Sequence, residues 1–417
     1  MAALEPLGVV DGEEGVRILS RRGIVEGPHL DAALGSTYAF RHALLRDAGY
    51  ASLARAERAW LHVCLAQWLV SLAHGRRGQL AELIGRHYAA ALENAPRLVS
   101  ELAPGVGRSD AALAAASWFE LGAEAALELS AHETACTLLR RSLAHTAEAT
   151  LDEARRRRRL GETIALSADM EEGAAELERA RELSRALLSD DERRVDARRE
   201  YAAATGALGW VFNQQVLFDR ARDLAEEGLA EVGAGEDAET ARLLMLRAYA
   251  VGYGTDGIEE PLVDLRRAVS LARRAGAADV ELEAQLLTSR WEVDIGLAPI
   301  EDLRRVQELC LARGRWAHAA NAMRAEALVL AETRADEAAA ALDRAEELCR
   351  SRGLSEELAW IDYSRTELGL LYGDWDGAVA RGSAPSRWRS GTVIAARRFV
   401  AGTRSSPSRW RGATRRC

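Results

Sequence analysis

The chain is expected to be mainly α-helical, an α-solenoid of helical hairpins repeating about every 40 residues behind a small mixed segment of helix and strand. No proline lies between Pro104 and Pro261, and that stretch is rich in Ala, Leu, Glu and Arg, the residues that cost least in a helix. Small residues flanked by large apolar ones recur at Gly122, Gly161, Gly209, Ala250, Ser289, Ala327 and Gly369, at intervals of 39, 48, 41, 39, 38 and 42 residues. Small side chains at a regular period let neighbouring helices approach closely, which stacked hairpins require.

Residues 1–55 mix signals. Gly12 to Ile24 reads as a short amphipathic helix with Val16, Ile18, Leu19 and Ile24 inward; a Gly- and Pro-punctuated stretch follows, then Thr37 to Phe40 alternates like an edge strand, and Arg41 to Leu53 is helical again. Helix, two short strands and helix make a winged-helix-like arrangement. Residues 56–109 form a helical connector of two helices, marked by Trp60, Leu65 and Trp68 and then by Leu80, Ile84 and Tyr88. Pro96 and the break from Ala103 to Asp110 end that pattern and place a domain boundary before the repeats, which fill residues 110–381 as about seven hairpins. Residues 382–417 belong to a different regime. They carry nine arginines and no acidic residue, and they repeat themselves from Pro385 to Thr392 and from Pro407 to Thr414. This tail reads as a basic disordered extension or as a reading-frame change near residue 382.

Composition excludes several function classes. All 55 basic residues are arginine; without lysine there is no P-loop of the form G-x-x-x-x-G-K-S/T and no lysine Schiff base or general base. Cys64, Cys136, Cys310, Cys349 and Cys417 are odd in number and scattered, which predicts a reducing compartment and no structural zinc. The N-terminus lacks the basic residues of a secretory signal, and no apolar run approaches the roughly 18 residues needed to span a bilayer, so a cytoplasmic chain with no membrane partner is expected.

Local motifs resolve mostly into structural readings. Gly252, Gly254 and Gly257 spell G-x-G-x-x-G with Asp279 downstream, but a helix precedes them where a dinucleotide site needs a strand, so an inter-helix loop is expected. His132 and Cys136 share a helical face without a second ligand pair, and Glu171-Glu172 and Glu226-Glu227 read as solvated faces, so neither metal nor catalytic residues are assigned. The run Arg155 to Arg159 wraps the whole circumference of a helix and is flanked by Glu153 and Glu162, which predicts ion pairing. In the tail, Arg interleaved with Trp388 and Trp410 is what nucleic-acid contact would use.

Two resemblances refine this picture. Trp118-Phe-Glu-Leu-Gly122, Leu160-Gly161 with Leu177 and Ala180, Leu208-Gly209 with Ala221 and Ala225, and Leu368-Gly369 through Ala378 resemble tetratricopeptide repeats, although the period exceeds 34 and the terminal proline is missing. If the small positions mark the eighth residue of each repeat, the inner face carries Asn213, Arg247, Arg290, Asn321 and Arg324, whose guanidiniums and amides could hold a carboxylate or phosphate. Thr37 to Leu69 with Ala81 to Ala91 resembles a segment of bacterial STAND-class signal-transduction ATPases, in which a P-loop ATPase precedes a winged helix and a tetratricopeptide array, often beside an adenylate cyclase or helix-turn-helix output domain. The resemblance implies a non-catalytic sensor half of such a regulator. It implies also that His42, in Phe40-Arg41-His42-Ala43, reads the phosphate of ADP if an ATPase domain is supplied in trans, with Ala43 where the family commonly has Asp. No cofactor is expected in this chain itself; ATP or ADP belongs to the parent architecture. The expected partner is a protein, peptide or small effector on the concave face of the repeats. Alternatives are a truncated member of an adenylate cyclase or transcriptional-regulator family, and nucleic-acid binding through the tail.

Overall fold

The computed structural model describes residues 12–31, 35–95 and 101–377, apart from residues 130, 168, 234–236, 255–258, 332 and 375. The basic tail, with Trp388, Trp410 and Cys417, lies outside the described residues, as does Gly257. The chain divides into two compact units between Thr163 and Ile164.

The first unit begins with α1 (Gly12–Arg21), β1 (Val25–Asp31), β2 (Gly35–Phe40) and α2 (Ala43–Ser52), the element order expected from the sequence. The two strands pair antiparallel, Val25 facing Phe40 and Asp31 facing Gly35. Next come α3 (Arg55–Leu72), α4 (Arg77–Asn94), a small hairpin of β3 (Glu101–Ala103) and β4 (Val106–Gly107), α5 (Arg108–Glu128), α6 (His132–Ala144) and α7 (Leu151–Leu166), in whose last turn the division falls. The Ala103–Asp110 break, expected as a domain boundary, is the β3–β4 turn running directly into α5. Asp110 caps that helix by accepting the Gly107 N–H at 2.9 Å. No boundary forms there because α4 and α5 pack closely: a Cβ on Gly85 would lie 2.9 Å from the Phe119 ring.

Helix α2 has no buried residue. A polar chain ties it to its neighbours: Asn94 of α4 donates to the Tyr50 hydroxyl at 3.0 Å, Tyr50 meets His62 Nε2 of α3 at 2.9 Å, and His62 Nδ1 meets His87 Nδ1 of α4 at 2.9 Å. With Asn94 donating to Tyr50, the hydroxyl proton points to His62, and only neutral rings close the chain. Burial lowers the His62 pKa, and burial with the charges of His62 and Arg86 brings that of His87 down to about 4.

The arginine run is ion-paired along α7. Arg155 pairs with Asp152, Arg157 with Glu153 and Arg158 with Glu162, each at 2.8 Å. The deeper contacts come from α5, which sequence proximity could not reveal: buried Arg156 reaches Glu120 at 3.0 Å, and Arg159 reaches Glu120 at 2.7 Å and Glu124 at 2.8 Å. Burial alone would raise the Glu120 pKa, but hydrogen bonds and charge from Arg159 and Arg156 outweigh it and hold the carboxyl below its ordinary range.

The second unit is a succession of hairpins: α8 (Met170–Ala186), α9 (Arg194–Gln214) with α10 (Phe218–Val232), α11 (Ala238–Gly254) with α12 (Glu259–Arg274), α13 (Ala278–Asp294) with α14 (Ile300–Ala312), α15 (Trp316–Leu330) with α16 (Ala335–Arg352), and α17 (Ser355–Tyr372). Each helix packs on the next, and first helices also touch one another, α9 on α11, α11 on α13, α13 on α15 and α15 on α17. This second set of contacts makes a helical-repeat stack. All seven small positions fall on first helices, from Gly122 on α5 to Gly369 on α17. At Gly209 the space a side chain would fill is taken by Leu246 of α11. Gly252 and Gly254, expected in a loop, instead complete the last turn of α11. Glycine at 252 serves packing there: Trp291 of α13 lies 2.5 Å from where a Gly252 Cβ would stand.

Second helices end by a shared device. Gly276, Gly314 and Gly353 follow α12, α14 and α16 with φ of 67°, 67° and 69°, the left-handed conformation that closes a helix at least cost when no Cβ is present. A buried carboxylate locks one hairpin to the next: Glu326 of α15, 1% exposed, accepts from Arg304 of α14 at 2.7 Å, Gln307 at 2.8 Å and Arg344 of α16 at 2.8 Å. Among the described residues no helix is long and apolar enough to cross a membrane.

Replacing Gly252 by Ala is expected to drive a methyl into the Trp291 indole and cost about 1–3 kcal/mol in urea unfolding, as overpacking of a close helix contact does; an unchanged midpoint would show that the indole is not seated there. The lowered histidine pKa values give a second expectation. Unfolded histidines bind protons near pH 6.5 while His87 stays neutral to about 4, so stability of the first unit is full above pH 6.5 and falls on acidification. Between pH 7 and 5 the wild-type denaturation midpoint should drop, and His87→Gln should flatten that slope.

Candidate functional site in the repeat stack

The alignment of first helices places their corresponding faces side by side around a concavity of about 540 Å³ in the second unit, within the size range of ligand sites. Helical spacing decides what each contributes. On α13, Glu283, Leu287, Arg290 and Asp294 recur at intervals of three or four residues and share one face; on α15, His318, Asn321, Arg324 and Leu328 do the same. Trp210 and Gln214 come from α9, Tyr249 and Tyr253 from α11, and Glu357, Trp360, Tyr363 and Glu367 from α17.

Aromatic rings form a belt of two separate clusters. Trp210 and Tyr249 are 4.8 Å apart between centroids, Tyr249 and Tyr253 are 4.5 Å apart, and Trp360 meets Tyr363 edge-on at 5.9 Å. Two guanidiniums lie over it, Arg290 at 5.8 Å from the Tyr253 centroid and Arg324 at 5.7 Å from that of Trp360. Arg324 also donates to the Asn321 amide oxygen at 2.8 Å. Burial, and next the charge of Arg290, push the Arg324 pKa below the ordinary arginine value. Burial raises the Glu283 carboxyl above its ordinary range, with His318 and Arg242 opposing. Glu367 accepts the Tyr363 hydroxyl at 2.6 Å, and Asp294 is exposed at the rim.

Of the five inner-face residues named from the sequence, Arg290, Asn321 and Arg324 line this concavity. Arg247 does not: Asp264 of α12 holds it by two hydrogen bonds of 2.7 Å, clasping its own hairpin. Asn213 is 1% exposed on α9 beside the lining residue Gln214, and both its amide atoms lack a hydrogen-bond partner among the described residues. His42 stands elsewhere, exposed on the first unit at the N-cap of α2, where its side chain makes no capping bond. The sequence reading missed the aromatic belt, Glu283 and His318. A usable signal was present, since Trp210, Tyr249 and Arg290 each adjoin a periodic small position, Gly209, Ala250 and Ser289.

Other reactive groups are muted. Burial pushes the Cys310 and Cys349 thiols up to about 11, leaving them protonated at neutral pH. Among the described residues no three His, Cys, Asp or Glu side chains are grouped to hold a metal.

No protein-family model matches the chain, and no curated protein matches it in sequence. Solved structures do. The Rap conjugation gene regulator of the plasmid pLS20, determined in complex with the Phr peptide, is 13% identical over 85% of this chain and 96% of its own, with a TM-score of 0.50. A Signal Transduction ATPase with Numerous Domains (STAND) protein with a tetratricopeptide repeat sensor, from Pyrococcus horikoshii, is 14% identical over 92% of this chain and 60% of its own, with a TM-score of 0.40. The first likeness extends over nearly all of the regulator's length and shows the fold, a stack of tetratricopeptide-like helical hairpins; the second is too distant in structure to bear on this chain.

Proposed function

We propose that this chain is a non-catalytic sensing module whose repeat stack captures a peptide or protein segment in the concavity of the second unit. The observation that carries this reading is the convergence of five successive first helices on one aromatic-lined hollow with two guanidiniums over the rings. Aromatic side chains offer large contact area at low entropic cost, and polar groups among them fix orientation. The Rap regulator that shares the fold was solved with a peptide bound, which supports the same use of the fold here.

The finer reading is that ligand capture regulates an ATP-driven switch of the STAND class. It rests on the resemblance of residues 37–91 to that class. In such a switch an ATPase domain would bind ATP or ADP, and His42, exposed at the start of α2, would be accessible to its phosphates.

Photoreactive residues placed at His318 or Leu328, both lining the concavity, are expected to crosslink a partner in cells, whereas one at Arg305, on the outer face of α14 and 75% exposed, should not. Equal crosslinking from both faces would sink the inner-face assignment. Purified chain incubated with labelled ATP is expected to show no turnover; hydrolysis by this polypeptide alone would overturn the non-catalytic reading.

A further inference from the structure

Carboxyls outnumber guanidiniums in the lining of the hollow. Glu283, Asp294, Glu357 and Glu367 share it with Arg290 and Arg324. Both guanidiniums are engaged within the protein, Arg324 by the Asn321 amide and the Trp360 face, Arg290 over the Tyr253 ring. Of the acids, Glu367 accepts the Tyr363 hydroxyl. Glu283, Asp294 and Glu357 make no hydrogen bond or ion pair with any described residue. Enclosed carboxylates elsewhere in the second unit are matched, Asp264 to Arg247 and Glu326 to Arg304 and Arg344.

Enclosure singles out Glu283. Asp294 is at the solvent rim, whereas the Glu283 carboxyl is shut in deeply enough for burial to push its pKa up against opposing charges. The charges that face it come from three helices. His318 of α15 and Arg242 of α11 favour its ionised form, Asp279, one turn earlier on α13, opposes it, and neither cation comes within ion-pairing distance. Asp279 is itself paired with Arg315 at 2.5 Å, and Arg242 is exposed to water. An enclosed carboxyl with no partner is costly as an anion and leaves its acceptor oxygens unmet. An ammonium or guanidinium brought to it removes both costs, donating N–H bonds to the oxygens and neutralising their charge. Asp294 and Glu357 add negative potential to the hollow, which draws in a cation and repels an anion.

Building on the peptide-capture reading above, we propose that the captured peptide carries a basic group that forms an ion pair with Glu283 inside the hollow. The group is a Lys or Arg side chain or a free N-terminal ammonium; the chemistry at the carboxyl is shared.

The test uses the full chain and hexapeptide positional-scanning pools, labelled at an amidated C-terminus and prepared with free and with acetylated N-termini, with binding read by fluorescence anisotropy. Pools with Lys or Arg fixed at one position, or free-amine pools over their acetylated forms, are expected to bind roughly tenfold or more tightly than neutral counterparts, the size of one charge-assisted contact. The first pattern assigns a side chain, the second the N-terminus. Glu283→Gln, nearly equal in shape and checked for an unchanged thermal transition, should abolish the preference; Glu283→Ala, checked likewise, gives the same test if the glutamine variant does not fold. Glu308→Gln, at an exposed position of α14, should leave binding unaltered. A preference for basic pools that survives loss of the Glu283 carboxyl overturns the assignment to that residue. Pools that bind without regard to basic groups, or that favour Asp or Glu, overturn the ion pair while leaving peptide capture in place. Competition by millimolar spermidine as strong as by the basic pools replaces the peptide with a free amine. No binding by any pool overturns peptide capture and the assignment with it.

Discussion

Close approach between first helices is the constraint on which the second unit depends. Adjacent helices of a hairpin pack in any helical protein, but a stack needs every other helix to touch as well, and large side chains at that contact would hold the backbones apart. Gly209 against Leu246 and Gly252 against Trp291 meet this demand by leaving out a side chain where the next first helix inserts one. Once first helices are in register, residues 34 to 41 positions apart in sequence become neighbours. The concavity follows from that register: Trp210, Tyr249, Arg290 and Arg324 are inner-face residues of successive hairpins and not a local motif.

Arginine carries the polar side of the same architecture. Each long, planar guanidinium can span from one helix to a carboxylate on another while its stem covers apolar surface. Arg156 and Arg159 join α7 to α5 through Glu120, and Glu326 gathers Arg304 and Arg344 from the helices on either side of it. Arg324 is held differently, by the Asn321 amide and the face of the Trp360 ring.

Much of this was legible in the sequence because it is periodic. The seven small positions located the first helices, and the absence of proline and the helix-forming composition predicted the elements between them. The register also led to Arg290, Asn321 and Arg324, since helical spacing fixes which face a residue occupies. It could not separate Arg247 and Asn213 from them. One inner-side residue is claimed by its own hairpin, as Asp264 claims Arg247, and another is buried between helices, as Asn213 is, and those outcomes depend on partners distant in sequence. The loop expected at Gly252 failed for a related reason: glycine there signals close packing by Trp291, and local propensity could not distinguish a packing glycine from a turn glycine. The turn glycines that did exist, Gly276, Gly314 and Gly353, were a second periodic signal, one that marks the end of each hairpin.

The left-handed glycines and the small-residue contacts have a mechanical consequence. Each hairpin of the second unit is a stiff rod pair joined to the next through a short turn and a narrow seam, so the hollow has no rigid wall of its own; its width is the accumulated result of several inter-hairpin angles. A ligand held at once by α11, α13, α15 and α17 would fix those angles together, acting as a strut across a coiled spring. The property changed by such capture would be the compliance of the stack, a quantity that any domain attached to its ends would feel without contacting the ligand.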